Sequence, residues 1–337
     1  MRHETCVWGA ILLALAVPSP LLDGYQRREP RHETVIPTAV TASPLAVVLT
    51  TDCGVEMDDQ WALAHLLLSQ EIALRAVITT HASSIGFSSA TSAKKAAEVI
   101  ARVLPAAGSP LPPVVAGSDS PLGELTTPRE SPGVDMLLEL SRSYSASRRL
   151  VILATGAGTD IASAILKDPS IVNRVSVVAM GFDDWPGGGD GFNVKNDPLA
   201  WRIILSSDVP VVVASGGVAK RGLRLTRAEA GALMRSHGPV GEYLYSVFDD
   251  WLTRQATLVA QLVAPETWVV WDEAVVAYAL GMARGNDVPR PQLQRDLSFS
   301  HPQTSRRITW LTEIDTDRVW RDFTKKIDVR NQPGRQP

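Results

Sequence analysis

Cysteine occurs only twice in the chain and histidine only six times, and neither type clusters. That scarcity leaves no material for a disulfide-stapled scaffold, and it argues against zinc, which prefers closely spaced sulfur and imidazole donors. Charge of one sign is also missing. The 33 Lys and Arg stand against 36 Asp and Glu, and no basic run is long enough to grip nucleic acid. Internal repeats and low-complexity tracts are absent too. The longest apolar run near the N-terminus, from Val7 to Val17, is shorter than the roughly 20 residues a membrane span needs. With Arg2 ahead of it, it reads as the core of a secretory signal. The expectation is a leader over residues 1–23, a polar, proline-bearing linker over 24–44 and one catalytic domain over 45–330. The mature chain would then be secreted or periplasmic and away from the membrane. Cys6 would leave with the leader, and Cys53, surrounded by carboxylates that disfavour a thiolate, reads as a packing residue.

What the chain does have is a regular alternation. Short β-branched runs, "LAVVLTTD", "LRAVITTH", "PPVVAG", "RLVILATGA", "VSVVAMGF", "VPVVVASG" and later "RRITWLTEID", alternate with helical patterns such as "DDQWALAHLLLSQ" and "DPLAWRIILSSD". The first six runs are apolar without in-out alternation, as befits strands covered on both faces. This pattern predicts an α/β fold with a mainly parallel, doubly wound sheet. The stretch from about Thr226 to Gly281 is mostly helical and is expected to cap the C-terminal edge. Trp61 and Trp201 fall on apolar helix faces and are expected in the core.

Ligands of such sheets bind beyond the carboxyl ends of the strands, which directs attention to the strand-to-helix loops. In "TTDCGVEMDD", Asp52 ends the first strand while Asp58 and Asp59 open the next helix, with Glu56 between them. Helix capping would account for one of the paired aspartates but not for Asp52. A hard cation such as Ca2+, which takes 6–8 oxygen ligands, accounts for all three. The turn "LATGAGTDIASAI" allows close backbone approach and offers a carbonyl at Thr159; a phosphate is disfavoured by Asp160 and by the missing P-loop lysine. The glycine-rich loop "MGFDDWPGGGDGFNVKNDPLAW" brings Asn193 to the same rim, whereas Asp197 before Pro198 reads as an N-cap. Asp272 in "WVVWDEAVVAYALG" is either an N-cap or a further carboxylate for the cation. His65 and His81 are the histidines nearest these loops; His65 lies along a helix, and loop position alone is a weak reason to put His81 at the rim.

These four motifs, in this order, resemble the calcium-dependent nucleoside hydrolases of the inosine/uridine-preferring superfamily. The "G-x-E-x-DDQ" form of the first is similar to that of a divergent secreted branch. The resemblance extends from about Leu45 to the C-terminus. It implies that Asp52, Asp59 and Asp272 ligate Ca2+ by their carboxylates and Thr159 by its backbone oxygen. Asp58 would be the base toward the attacking water, and Asn193 would hold the sugar. The implied activity is hydrolysis of the N-glycosidic bond of a ribonucleoside or related glycoside, with a small molecule as the only expected partner. A homo-oligomer is left open. The chain departs from the family at Gly191, where Glu is common, and at Trp271, where His is common. Asp190 would stand in for the first, and Trp271 would stack on a base or sugar. Ser84 only loosely occupies the place of a usual Asn. These departures keep open a secreted nucleoside- or carbohydrate-binding protein without turnover, or a hydrolase of another glycoside using Asp183, Asp184 or Asp190 as acid.

Overall fold

A computed structural model describes residues 43–104, 111–189 and 191–331. The expected leader, nearly all of the expected linker and Asp190 lie outside the described residues. Among the described residues no helix is long and apolar enough to cross a membrane.

The first half of the fold is a run of β-α units. In chain order these are β1 (Leu45–Thr51), α1 (Asp58–Leu68), β2 (Ile72–Thr79), α2 (Ser89–Val103), β3 (Val114–Ala116), α3 (Pro132–Ser141), β4 (Leu150–Thr155) and α4 (Thr159–Lys167). Then come β5 (Val175–Met180), α5 (Phe192–Asn196), α6 (Pro198–Ser206), β6 (Val211–Ala214) and α7 (Gly216–Gly222). The remainder holds β7 (Arg224–Thr226), α8 (Arg227–Met234), α9 (Gly238–Arg254), α10 (Ala256–Leu262), β8 (Thr267–Val269) and α11 (Glu273–Ala279). It ends with β9 (Ala283–Pro289), β10 (Gln292–Leu293), β11 (Phe299–Ser300), β12 (Arg307–Ile314) and α12 (Thr316–Asn331).

Eight strands form the central sheet in the order β3-β2-β1-β4-β5-β6-β12-β9. All neighbours pair parallel except β12 with β9, which is antiparallel. Each expected strand run is therefore a strand of this sheet. Their unbroken apolar character has a plain cause, because successive side chains enter opposite cores. Val47, Leu49, Val151 and Leu153 face the side that holds α1, α9, α11 and α12. Val48, Leu150 and Ile152 face the side that holds α3, α4 and α6. Complete burial of such a side chain is worth about 1.5–3 kcal/mol, so a doubly covered strand gains from an apolar residue at every position. Trp61 and Trp201 are fully buried, one in each core.

Register lines up the strand ends. Thr51 pairs with Thr79 of β2 and with Thr155 of β4, and Ala154 pairs with Ala179 of β5. The carboxyl ends of the central strands thus form one rim, and the loops with unusual sequence all leave from it. The segment after β6 is largely helical, as its pattern indicates, with the short β7–β8 ribbon inserted.

Candidate metal centre at the sheet rim

The acidic turn begins as β1 ends. Gly54 takes φ +94°, a left-handed value that glycine tolerates at little cost, and this folds the chain back toward α1. Met57 is the N-cap of α1 and offers no side-chain cap, and neither Asp58 nor Asp59 supplies one. Asp272, at the N-cap of α11, makes no side-chain cap bond either. The capping explanation of these carboxylates therefore fails on geometry.

They face each other instead. Asp58, Asp59 and Asp272 each present a carboxylate oxygen within 4.8 Å of the other two. All three are buried, as is Asp52, whose Oδ2 has no hydrogen-bond partner. Few donors compensate them. Asp58 Oδ2 accepts from the Asp272 backbone N–H at 3.3 Å. Asp59 Oδ1 accepts from the hydroxyl of Thr51 and, at 3.4 Å, from that of Thr155. Half-buried Glu56 accepts from the indole N–H of Trp268 at 3.1 Å.

The electrostatics follow from that poverty of donors. Burial, and then the neighbouring carboxylates, hold Asp52, Asp58 and Asp272 well above the usual carboxylate range. Burial likewise lifts Asp59 to about 6 and Glu56 to about 7, the donated hydrogen bonds opposing it. Burial and the same aspartates push the Cys53 thiol up, so it is an inert packing group, as its surroundings in the sequence indicate. A set of buried oxygens that must hold protons to coexist, one of them an orphan, fits a hard divalent cation. Asp59 and Asp272, with Asp52 behind them, are the carboxylates that would hold it, and Asp58 lies within reach of the same ion.

The remaining expected site residues are less uniform in placement. Thr159 opens α4, where its hydroxyl is bonded to His81 at 2.9 Å and to Asp197 at 2.7 Å. The threonines whose side chains meet Asp59 are Thr51 and Thr155, the last residues of β1 and β4. Asn193 is buried at the end of β5 and donates to the carbonyl of Met180 at 3.1 Å. Trp271 is half-buried and packs edge-on against Trp268, ring centroids 6.1 Å apart. Asp183 and Asp184 are exposed on their loop, unlike the buried cluster. Asp197 is an N-cap, its Oδ1 accepting from Ala200 N at 2.9 Å. Two surface clefts of about 570 and about 610 Å3 share no lining residue with the cluster.

Gly191 has a physical reason to lack a side chain. A Cβ there would stand 2.6 Å from the backbone nitrogen of Phe182, itself at φ +63°. Neither histidine near the rim behaves as a free side chain. His65 is buried between Glu273 at 2.5 Å and Asp322 at 3.0 Å, and His81 is buried rather than at an open rim. Sequence reasoning missed Thr51, Thr155 and Trp268. The first two end their strands, and the rule placing ligands beyond strand ends carries that signal.

Comparison with known proteins agrees with this architecture. The model of the inosine-uridine preferring nucleoside hydrolase family matches residues 47–321. The pyrimidine-specific ribonucleoside hydrolase RihA of Enterobacter sp. (strain 638) is 25% identical over 197 residues, 52% of this chain and 62% of the relative. The match thus spans about three fifths of that relative's length. Among solved structures, a plant nucleoside hydrolase superposes with a TM-score of 0.68 at 18% identity, covering 85% of this chain and 99% of the other. A purine-preferring ribonucleoside hydrolase from Gardnerella vaginalis gives 0.68 at 19% identity, covering 85% and 98%. Those two establish likeness of fold, and the family match extends over most of the chain, from β1 into α12. The chain belongs to the inosine-uridine preferring nucleoside hydrolase family.

Proposed function

We propose that this protein is a Ca2+-dependent hydrolase that cleaves the N-glycosidic bond of a ribonucleoside or a related glycoside. One observation carries the reading: three buried carboxylates, Asp58, Asp59 and Asp272, meet at the sheet rim, with buried Asp52 near enough to feel their charge, and among the described residues none of the four caps a helix or pairs with a cation. Asp52, Asp59 and Asp272 hold the calcium, with the Thr159 carbonyl as the expected further oxygen. When bound, the ion supplies positive charge that acidifies water and orients a sugar diol.

The chain's own groups do the rest. Asp58 takes the proton of a water that attacks the anomeric carbon as the bond to the base breaks. Burial, and then the charges of Glu56 and Asp59, raise that carboxylate's pKa, which favours its taking a proton. Asn193 positions the sugar at the end of β5, and Trp271 offers a ring face for stacking on the base. Both ring nitrogens of His65 and of His81 are already engaged, so neither is free to protonate the departing base. The reading also includes a leader-bearing, exported enzyme, for which the apolar run from Val7 to Val17 is the support.

Elemental analysis of purified protein, with reducing-sugar release assayed across purine and pyrimidine nucleosides, tests this. Calcium near one per chain together with release is expected. Calcium without release from any nucleoside would shift the reading to a binding protein, which Trp271 and the bare Gly191 favour. No calcium would remove the basis of the proposal.

A further inference from the structure

Beyond the cluster, the segment after β2 is built with more fixings than a connecting loop needs. Ala82 and Phe87 exchange backbone hydrogen bonds at 2.9 and 3.1 Å, closing a small hairpin turned by Ser83–Ile85 and by Gly86 at φ +74°. Its base is held by His81. The Ser83 backbone N–H can only donate, and it donates to His81 Nδ1 at 3.2 Å. The ring proton therefore sits on Nε2 and is given to Thr159 Oγ1, whose own hydrogen goes to Asp197 Oδ2. Asp197 Oδ2 also accepts from Leu122 N at 2.9 Å. The tip is held by Asn196. Its Oδ1 accepts from Ser84 N at 3.1 Å and Ser84 Oγ at 2.8 Å, while its Nδ2 donates to Phe192 O at 3.1 Å.

Topology gives those fixings a meaning. Asn196 lies on α5, the helix that follows β5 and carries Asn193. In the sheet, β2 and β5 are separated by β1 and β4, the strands that end in Thr51 and Thr155 beside Asp59. Tied both to the first residue of α4, which follows β4, and to α5, which follows β5, the hairpin lies beside the ends of the strands between β2 and β5. It lies on the α4 side, since His81 is tied to the first residue of α4.

We propose that the hairpin of residues 81–87 is a fixed roof over the rim on the α4 side, facing the carboxylate site across the strand ends, and that His81 and Asn196 are positioning residues that set its place. This inference rests on the proposed function, because the ligand under the roof is taken to be a nucleoside. The latch touches neither Asp58 nor the other cluster carboxylates. Releasing it weakens substrate binding and leaves the chemical step nearly untouched.

The test compares wild type with Asn196→Ala, Asn196→Asp and Ser84→Ala, each in the full chain. Amide exchange of Ala82 and Phe87 reads the latch without turnover. KM and kcat for the nucleosides read the roof, or nucleoside affinity by calorimetry if the wild type binds without cleaving. Asn196→Ala is expected to speed exchange at both amides and raise KM by about tenfold, the scale of one or two lost hydrogen bonds, with kcat within about twofold. Asn196→Asp keeps the acceptor oxygen and is expected to restore both. Ser84→Ala changes an exposed residue, spares the fold and is expected to give a smaller shift in the same direction. Unchanged exchange in Asn196→Ala would overturn the latch. Faster exchange with unmoved KM or affinity would overturn the roof. A wild type that neither cleaves nor binds any nucleoside overturns the roof's role and the proposed function together, while the exchange data still report separately on the latch.

Discussion

Asp272 and Glu273 are adjacent in sequence, both buried, and live in opposite electrostatic worlds. Asp272 faces Asp58 and Asp59 and finds no positive partner. Glu273 faces His65, which also bonds Asp322, and Lys326 lies 2.6 Å beyond Asp322. The same two helices build both places. The first turn of α1 supplies the aspartates and its last turn supplies His65, while α11 supplies Asp272 and Glu273. Phe323 stacks on the imidazole at 4.3 Å and helps seal the second network. The difference separates two uses of buried charge. At His65 the folded chain supplies the opposite charge itself, which offsets part of the rise that burial imposes on Glu273, although Glu273 Oε2 has no hydrogen-bond partner. At Asp272 the chain leaves a deficit that something outside the chain must fill, and stability is lost for the sake of a binding capacity.

Substitutions should drive the two regions apart. Asp58→Asn is expected to lower sugar release by about 10²–10⁴-fold, the usual worth of a general base, while raising the thermal midpoint of calcium-free protein, since one member of a repelling set is gone. A lower midpoint in chelator would break the comparison. His65→Ala is expected to do the reverse. It strands the buried Glu273 carboxylate, Asp322 keeping Lys326, and should cost about 3–5 kcal/mol in denaturant titration, the range for removing one partner of a buried pair, with sugar release per folded molecule nearly unchanged. The smallest effect is on pH. Burial pulls the His65 pKa down, but Glu273 and Asp322 lift it on balance above the ordinary 6.5. The folded state then binds the proton more tightly than the unfolded state. Its contribution is complete below the unfolded value and is lost as pH rises through the folded one, by at most about 1.4 kcal/mol per pH unit. The urea midpoint should fall over that window in wild type, and His65→Gln should flatten the fall.

How much of this the sequence discloses depends on distance along the chain. The parallel strands are legible because both faces are buried and each run is uniformly apolar. β9, "ARGNDVP", is not, because it is a polar edge strand recognisable only by its antiparallel pairing with β12. The acidic turn is legible because Asp52, Asp58 and Asp59 fall within eight residues. Their environment is not, since Trp268 reaches Glu56 across 212 positions. His65 shows the limit best. Its spacing marks only a place on a helix, while its partners lie 208 and 257 positions away. Asp197 and Pro198 read correctly as a helix start, since capping is a local affair.

The contact between Gly191 and Phe182 limits what position 191 can hold. Phe182 holds a backbone conformation that costs a non-glycine residue about 1–3 kcal/mol, and its ring is fully buried against Trp201 and Phe299. The space that a side chain at 191 would need is taken by that backbone. With Phe182 packed in this way, no side chain, glutamate included, fits at 191 by one substitution unless the backbone shifts. The two positions are coupled, so that placing a side chain at 191 requires Phe182 to change with it.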